Sequence, residues 1–242
     1  MNRNLRIGYQ THVGMVRSAN QDNLFVDGVS GLFIVADGMG GHNAGEVASD
    51  LAVREVSKLA KAGLDLSEDI FVIIEEALLG ANEVIWAMSE HVPAWKGMGT
   101  TVVVALFREN LVWIGHVGDS RAYLIRSNDI IRLTEDHSLV AQWVAEGLIA
   151  PDRARFHPMR HVVSMALGTK DGIQPAVSQH SVEENDCILL CSDGLTEMLA
   201  DPELLSIVLK APSPEDACKR LVERANQKGG TDNITCVVVC CD

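Results

Sequence analysis

No apolar run in this 242-residue chain approaches the roughly 18 residues that a membrane span requires. The opening Met1-Asn2-Arg3-Asn4-Leu5-Arg6 leads straight into polar sequence and lacks the apolar core of a secretory leader, which points to the cytoplasm. Positive charge is scarce: 20 Lys and Arg against 33 Asp and Glu leave a formal net charge of −13. Phosphate backbones need basic surface, so nucleic acid is an unsuitable partner. Zinc-ligand spacing is missing from the six cysteines (Cys187, Cys191, Cys218, Cys236, Cys240 and Cys241), which form no CxxC pair and have no histidine at the required interval. They sit mostly in apolar runs of the last quarter and are expected to be buried reduced thiols. Cys240-Cys241-Asp242 is not a prenylation box, which needs its Cys one position earlier than Cys240. Repeats, low-complexity segments and long linkers are also missing, so one domain over 1–242 is expected.

What the chain does have centres on Val35-Ala36-Asp37-Gly38-Met39-Gly40-Gly41-His42-Asn43-Ala44-Gly45-Glu46. Gly31 to Ala36 before it is apolar and rich in β-branched residues, the pattern of a buried strand. Residues 44–62 after it carry a helical stripe of Val47, Ala48, Leu51, Ala52, Val56 and Leu59. An aspartate thus ends a strand, and glycines that allow close backbone approach follow it. A carboxylate beside the Gly38 carbonyl suits Mg²⁺ or Mn²⁺, which prefer oxygen donors. On this segment alone, a strand-to-helix turn with a capping Asp fits equally well.

The remaining pattern mixes helices and strands. Leu5–His12 and Leu24–Val26 read as strands on either side of a polar loop holding Arg17 and Asp22. A helix is expected from about Ser67, as N-cap, to Glu90. Thr100–Phe107, Leu111–Val117 and Arg121–Ile125 read as an antiparallel meander. Residues 133–168, with helical pieces at Ser138–Glu146 and Pro151–Phe156, form an insertion over the sheet edge. Strands bracket Glu183-Glu184-Asn185-Asp186, Ser213-Pro214 opens a last helix, and Ile234–Cys240 is the closing strand.

Asp37, Asp119, Asp193 and Asp232 share one context, an apolar strand joined to a glycine-containing turn. Converging carboxylates repel one another, and divalent cations are the usual remedy. Paired cations are also the usual device for hydrolysing phosphate esters. Four such turns together disfavour the capping reading.

Seven runs carry a resemblance: Arg17-Ser18-Ala19-Asn20-Gln21-Asp22, Val35 to His42, Gly97-Met98-Gly99-Thr100-Thr101, His116-Val117-Gly118-Asp119-Ser120-Arg121, Leu133 to His137, Leu190 to Leu195 and Gly230-Thr231-Asp232-Asn233. In this order, over nearly the whole length, the chain resembles the bacterial type 2C protein phosphatases, metal-dependent enzymes acting on phosphoserine and phosphothreonine. The resemblance implies an α+β fold, a four-layer α-β-β-α sandwich of two antiparallel sheets flanked by helix pairs, with residues 133–168 as a helical flap. It implies two tightly bound Mn²⁺ or Mg²⁺ ions and a weaker third. Asp37 corresponds to the bridging ligand, the Gly38 carbonyl to a ligand of one ion, Asp193 and Asp232 to ligands of the other, and Asp119 to a ligand of the third. Asp22 corresponds to an acceptor orienting metal-bound water, Arg17 to the phosphate-holding arginine, and His42, Thr100 and Asn233 to accessory positions. The chemistry implied is attack of a metal-bridging hydroxide on phosphorus, without a protein nucleophile. Ser120 and Ser192 lie in no GxSxG elbow and read as structural. The expected partners are phosphorylated proteins and an opposing Hanks-type Ser/Thr kinase, with the phosphatase acting as a monomer.

Some positions depart from the family pattern. Met39 follows Asp37-Gly38 where relatives often carry a proton-donating His, leaving His42 as a substitute acid or a packing residue. Gln21 replaces an acidic residue, and His161, Ser164 and Met165 stand where Asn, Thr and Arg are expected, so flap contacts with substrate can differ. A catalytically silent binding module would have lost metal aspartates, and none is missing.

Overall fold

The computed structural model describes residues 4–40, 44–66 and 69–242. Its strands are β1 (Leu5–His12), β2 (Asp22–Asp27), β3 (Leu32–Met39), β4 (Gly99–Thr100), β5 (Val102–Arg108), β6 (Leu111–Val117), β7 (Arg121–Arg126), β8 (Asp129–Arg132), β9 (Ala176–Ser181), β10 (Cys187–Cys191) and β11 (Ile234–Cys241). Its α-helices are α1 (Ala44–Asp65), α2 (Ile70–His91), α3 (Leu139–Ala145), α4 (Pro151–Ala154), α5 (Asp193–Met198), α6 (Asp201–Lys210) and α7 (Pro214–Gln227). Sheet I has the order β1-β11-β10-β7-β8 and sheet II the order β2-β3-β5-β6-β9, with β4 paired to the end of β3. All the pairings are antiparallel.

Alternation along each strand builds three apolar layers. Phe33, Val35 and Val103 of sheet II face Ile188, Leu190 and Val237 of sheet I between the sheets. Leu32, Ile34 and Val104 point the other way, onto α1 and α2. Tyr123, Leu189 and Val238 meet α5, α6 and α7 on the far side. This is the expected α-β-β-α arrangement. Because both faces of the central strands are covered, β5 up to Phe107 and β11 apart from Thr235 read as apolar runs instead of alternating ones.

Several sequence expectations are corrected. The meander does not stay in one sheet: β6 belongs to sheet II and β7 to sheet I, so Gly118-Asp119-Ser120 crosses between them. The strands around Glu183–Asp186 likewise lie in different sheets. Thr101 interrupts the expected strand 100–107, and β3 continues two residues beyond Asp37. The second helix starts at Ile70 with Asp69 as its N-cap, whose carboxylate accepts from Phe71 N; Ser67 lies outside the described residues. The short elements β8, α5 and α6 went unread. Cys187 and Cys240, facing each other in the β10–β11 register, are joined in a disulfide with Cα atoms 4.0 Å apart. Reduced thiols are therefore the wrong expectation for that pair, because strand register brings together residues 53 apart in sequence. Cys191, Cys218 and Cys236 are buried free thiols, as expected, and Cys241 is buried.

Phe33 is fully buried between the sheets, with its ring edge-on to Phe107 at 5.7 Å between centroids. Phe33→Ala should lower unfolding free energy by about 3–5 kcal/mol, as cavity-forming aromatic truncations do. Urea unfolding checks this, and a loss under about 1 kcal/mol would show that the inter-sheet layer collapses around the gap.

Candidate active site

One end of the sandwich collects the aspartates. The end of β1 pairs with the start of β11, and the end of β10 pairs with the starts of β11 and β7. In sheet II the start of β2 pairs with the end of β3, and the start of β5 with the end of β6. The sheet-crossing links 13–21 and 118–120 join these two ends, so Arg17, Asp22, Asp37, Asp119, Asp193 and Asp232 are brought to the same rim.

Asp22 and Asp37 face each other in the β2–β3 register. The Asp37 backbone is clamped: its carbonyl accepts from Thr100 Oγ1 at 2.9 Å and Thr101 N at 2.9 Å, while its N–H donates to Thr101 Oγ1 at 3.2 Å. Gly38 has to be glycine, since a Cβ there would lie 2.0 Å from the Gly45 carbonyl oxygen at the start of α1. Gly118 adopts φ +103°, and a Cβ on it would meet Thr101 at 2.6 Å. Ser120 Oγ shares a 2.6 Å hydrogen bond with Thr101 Oγ1 and so joins the Asp119 turn to the Asp37 clamp.

Asp22 is buried, and its Oδ2 accepts from Ser192 Oγ at 2.8 Å. That hydroxyl also accepts from Thr235 N at 3.0 Å. Ser192 is therefore engaged in holding a carboxylate, consistent with a structural serine. Asn233 organises the Arg17 loop: its Oδ1 accepts from Gln21 N at 2.8 Å, and its Nδ2 donates to the carbonyls of Val13 and Ala19, both at 2.9 Å. Arg17 is half exposed and donates to Asp232 Oδ2 at 2.6 Å. Thr100 and Asn233 thus act on backbone here; His42 lies outside the described residues.

The electrostatics fit cation binding. Burial pushes the Asp22 carboxyl up to about 7, and burial together with Asp22, Asp193 and Asp119 raises Asp37 well above the usual carboxylate range. Burial and Asp193 raise Asp119, while burial and Asp232 raise Asp193. Asp22 Oδ1 and Asp193 Oδ1 are shut off from solvent with no hydrogen-bond partner among the described residues. Buried lone pairs without donors, surrounded by like charge, are what a divalent ion would satisfy.

The flap 133–168 is rooted beside Asp119. Arg121 Nε and a terminal nitrogen donate to both oxygens of Asp136, at 2.9 and 2.6 Å. His137 donates its N–H to Gly118 O at 2.9 Å, its Nδ1 accepts from Gly118 N at 3.2 Å, and its ring stacks on His116 at 4.7 Å. At the far end of the flap, His161 Nδ1 lies 2.6 Å from Glu197 Oε1 on α5. A cavity of about 810 Å³ lies under the flap, with Asp119, Asp193 and Glu197 in one wall and Val140, Val144 and Phe156 in the other. Glu197 was missed from sequence. Its spacing of four from Asp193, one helical turn, was the available signal.

A sequence profile described as Protein phosphatase 2C matches residues 15–236. The chain belongs to this family. It is 38% identical over 237 residues to the serine/threonine protein phosphatase PstP of Mycobacterium tuberculosis, a match covering 97% of this chain and 44% of that protein. The chain therefore spans less than half the length of that relative. Protein phosphatase PhpP of Streptococcus pneumoniae is 38% identical over 242 residues, with 97% of each chain covered. The crystal structure of the PstP catalytic domain in complex with two manganese ions superposes with a TM-score of 0.85 at 35% identity, covering 98% of this chain and 97% of that one. Among the described residues of this phosphatase 2C chain, no helix is long and apolar enough to cross a membrane.

A carboxyl whose folded-state pKa is raised contributes stability that is present at low pH and lost as pH rises through that value. Without cations, melting temperature should therefore fall between the ordinary carboxylate pKa of about 4 and the raised Asp22 value of about 7. Asp22→Asn should flatten the fall, and Mn²⁺ should raise the melting temperature most at the upper end. Calorimetric scans across this range test it; a slope identical in wild type and Asp22→Asn would remove Asp22 as the source.

Proposed function

We propose that this chain removes phosphate from phosphoserine and phosphothreonine in proteins, as one catalytic domain over 1–242. The carrying observation is the gathering of Asp22, Asp37, Asp119, Asp193 and Asp232 at one rim, with two carboxylate oxygens buried and donor-free. In this reading Asp37, the Gly38 carbonyl, Asp193 and Asp232 hold a pair of Mn²⁺ or Mg²⁺ ions, and Asp119 holds a weaker third. When bound, such ions supply Lewis acidity that activates water and offsets charge on the phosphoryl oxygens.

The protein's own groups do the remaining work. Arg17 binds phosphate through the guanidinium fork, which matches two phosphate oxygens. Its exposure and its position against Asp232 support that role. Asp22 orients the attacking water by accepting a hydrogen bond from it, which its donor-free Oδ1 supports. Thr100 and Asn233 act by fixing the backbones of Asp37 and of the Arg17 loop. Met39 has no proton to give the leaving serine or threonine oxygen, so His42 is the residue to test as acid. The phosphorylated substrates require an opposing Ser/Thr kinase, and both enzymes belong in the cytoplasm, where ATP supports phosphorylation. The phosphatase acts there as a monomer.

Turnover of a phosphothreonine peptide should require Mn²⁺ or Mg²⁺ and stop with a chelator. Asp37→Asn and Asp193→Asn should each lower kcat at least about 100-fold, because even the outer partners of metal ligands are worth up to that much. Normal kcat in both would overturn the ligand assignment. Arg17→Ala should mainly raise KM, the mark of an interaction made equally in ground and transition states. An unchanged KM would make Arg17 a partner of Asp232 and nothing more.

A further inference from the structure

The flap residue His161 and Glu197 of α5, neither of them in the aspartate set derived from the family pattern, lie together with Asp193, which is in that set. One ligand atom from each falls within 4.8 Å of the other two. Ligand atoms at about 2.1 Å from one ion stand roughly 3.0–4.2 Å apart, depending on the angle between them. Little movement would therefore close the three onto a cation. Asp193 Oδ1 already lacks a hydrogen-bond donor among the described residues and is shut off from solvent. His161 is exposed on the flap, so an ion can reach the group from the cavity side. Glu197 sits one helical turn after Asp193 on α5, and Arg155 holds the flap close by donating to the main-chain oxygens of Thr196 and Glu197 at 3.3 and 3.2 Å.

We propose that His161, Glu197 and Asp193 form a cation site with mixed nitrogen and oxygen ligands that ties the flap to the catalytic rim. The imidazole sets its preference. Mg²⁺ favours oxygen donors and gives up its water reluctantly, whereas Mn²⁺, Co²⁺ and Zn²⁺ accept imidazole, in rising order of affinity from Mn²⁺ to Co²⁺. A chain with His161 in place of a residue that offers only oxygen thus binds a transition ion at the flap in preference to Mg²⁺. Binding replaces the direct 2.6 Å contact between His161 Nδ1 and Glu197 Oε1 with a contact of each atom to the ion. The inference rests on the proposed active site only in that Asp193 is common to both.

The test is Mn²⁺ binding by calorimetry, with pulsed electron paramagnetic resonance of the Mn²⁺-loaded full chain. Wild type should show ¹⁴N modulation from a directly bound imidazole. His161→Ala should abolish the modulation, and both His161→Ala and Glu197→Gln should weaken one class of ion by about tenfold or more. Mg²⁺ should compete poorly for that class. Absence of ¹⁴N modulation at saturating Mn²⁺, or isotherms unchanged in both variants, overturns the site and leaves His161–Glu197 as an ion pair holding the flap. Phosphopeptide turnover measured on the same samples separates the two readings. Turnover without ¹⁴N modulation defeats this site alone, whereas ¹⁴N modulation without turnover in any divalent ion defeats the phosphatase reading alone.

Discussion

Mutual repulsion among carboxylates is the constraint that the rest of the molecule answers. Asp22 and Asp37 come from sheet II, Asp193 and Asp232 from the ends of sheet I strands, and Asp119 from the link between the sheets. Held apart, each would be an ordinary ionised surface group. Drawn together and withdrawn from water, Asp22, Asp37, Asp119 and Asp193 all hold their protons more tightly than usual. No single element can enforce that proximity. It is enforced by the apolar layer between the sheets, where Phe33, Val35, Leu190 and Val237 fix the spacing of the two rims. Packing far from the site therefore sets the distance between its charges.

Local hydrogen bonds then aim each group. Ser192 holds one oxygen of Asp22 and leaves the other bare. Thr100 and Thr101 hold the Asp37 backbone from the neighbouring strand, and the interruption of that strand at Thr101 is what frees both residues to do so. The Asn233 side chain directs its hydrogen bonds at the loop that carries Arg17. These are neutral donors and acceptors. They orient charge without cancelling it.

The sequence made the repeated strand–aspartate–glycine context legible because it is local, and the same holds for α7, whose Ser213 cap accepts from Asp216 N as the spacing suggested. What it hid was long-range. The link at Gly118-Asp119-Ser120 is short enough to be a hairpin turn, and nothing local distinguishes a turn within one sheet from a crossing between two. The six-residue α5 is too short to show a helical period, so only the spacing of four hints that Glu197 neighbours Asp193. The Cys187–Cys240 bond depends on a register that no spacing rule reveals. Ser192 read correctly as structural, yet its partner Asp22 lies 170 residues away and could not have been named.

The flap shows how the repulsive cluster is joined to the chain that covers it. Its first residues grip the Asp119 turn: Arg121 forks onto Asp136, and His137 bonds Gly118 through both backbone and ring. Burial and the neighbouring His116 hold the His137 ring down to a pKa of about 4, so near neutrality it is an uncharged acceptor for Gly118 N. The His137 carbonyl accepts from Ser164 N, which ties the outgoing and returning chains of the flap at the same point. A displacement of the flap is thereby a displacement of the turn carrying Asp119. The contacts of His161 and Arg155 with α5 apply the same logic at the flap's far end, where the residue reached is one turn from Asp193. Both attachments end beside carboxylates, so the position of the flap and the spacing of the rim charges are coupled.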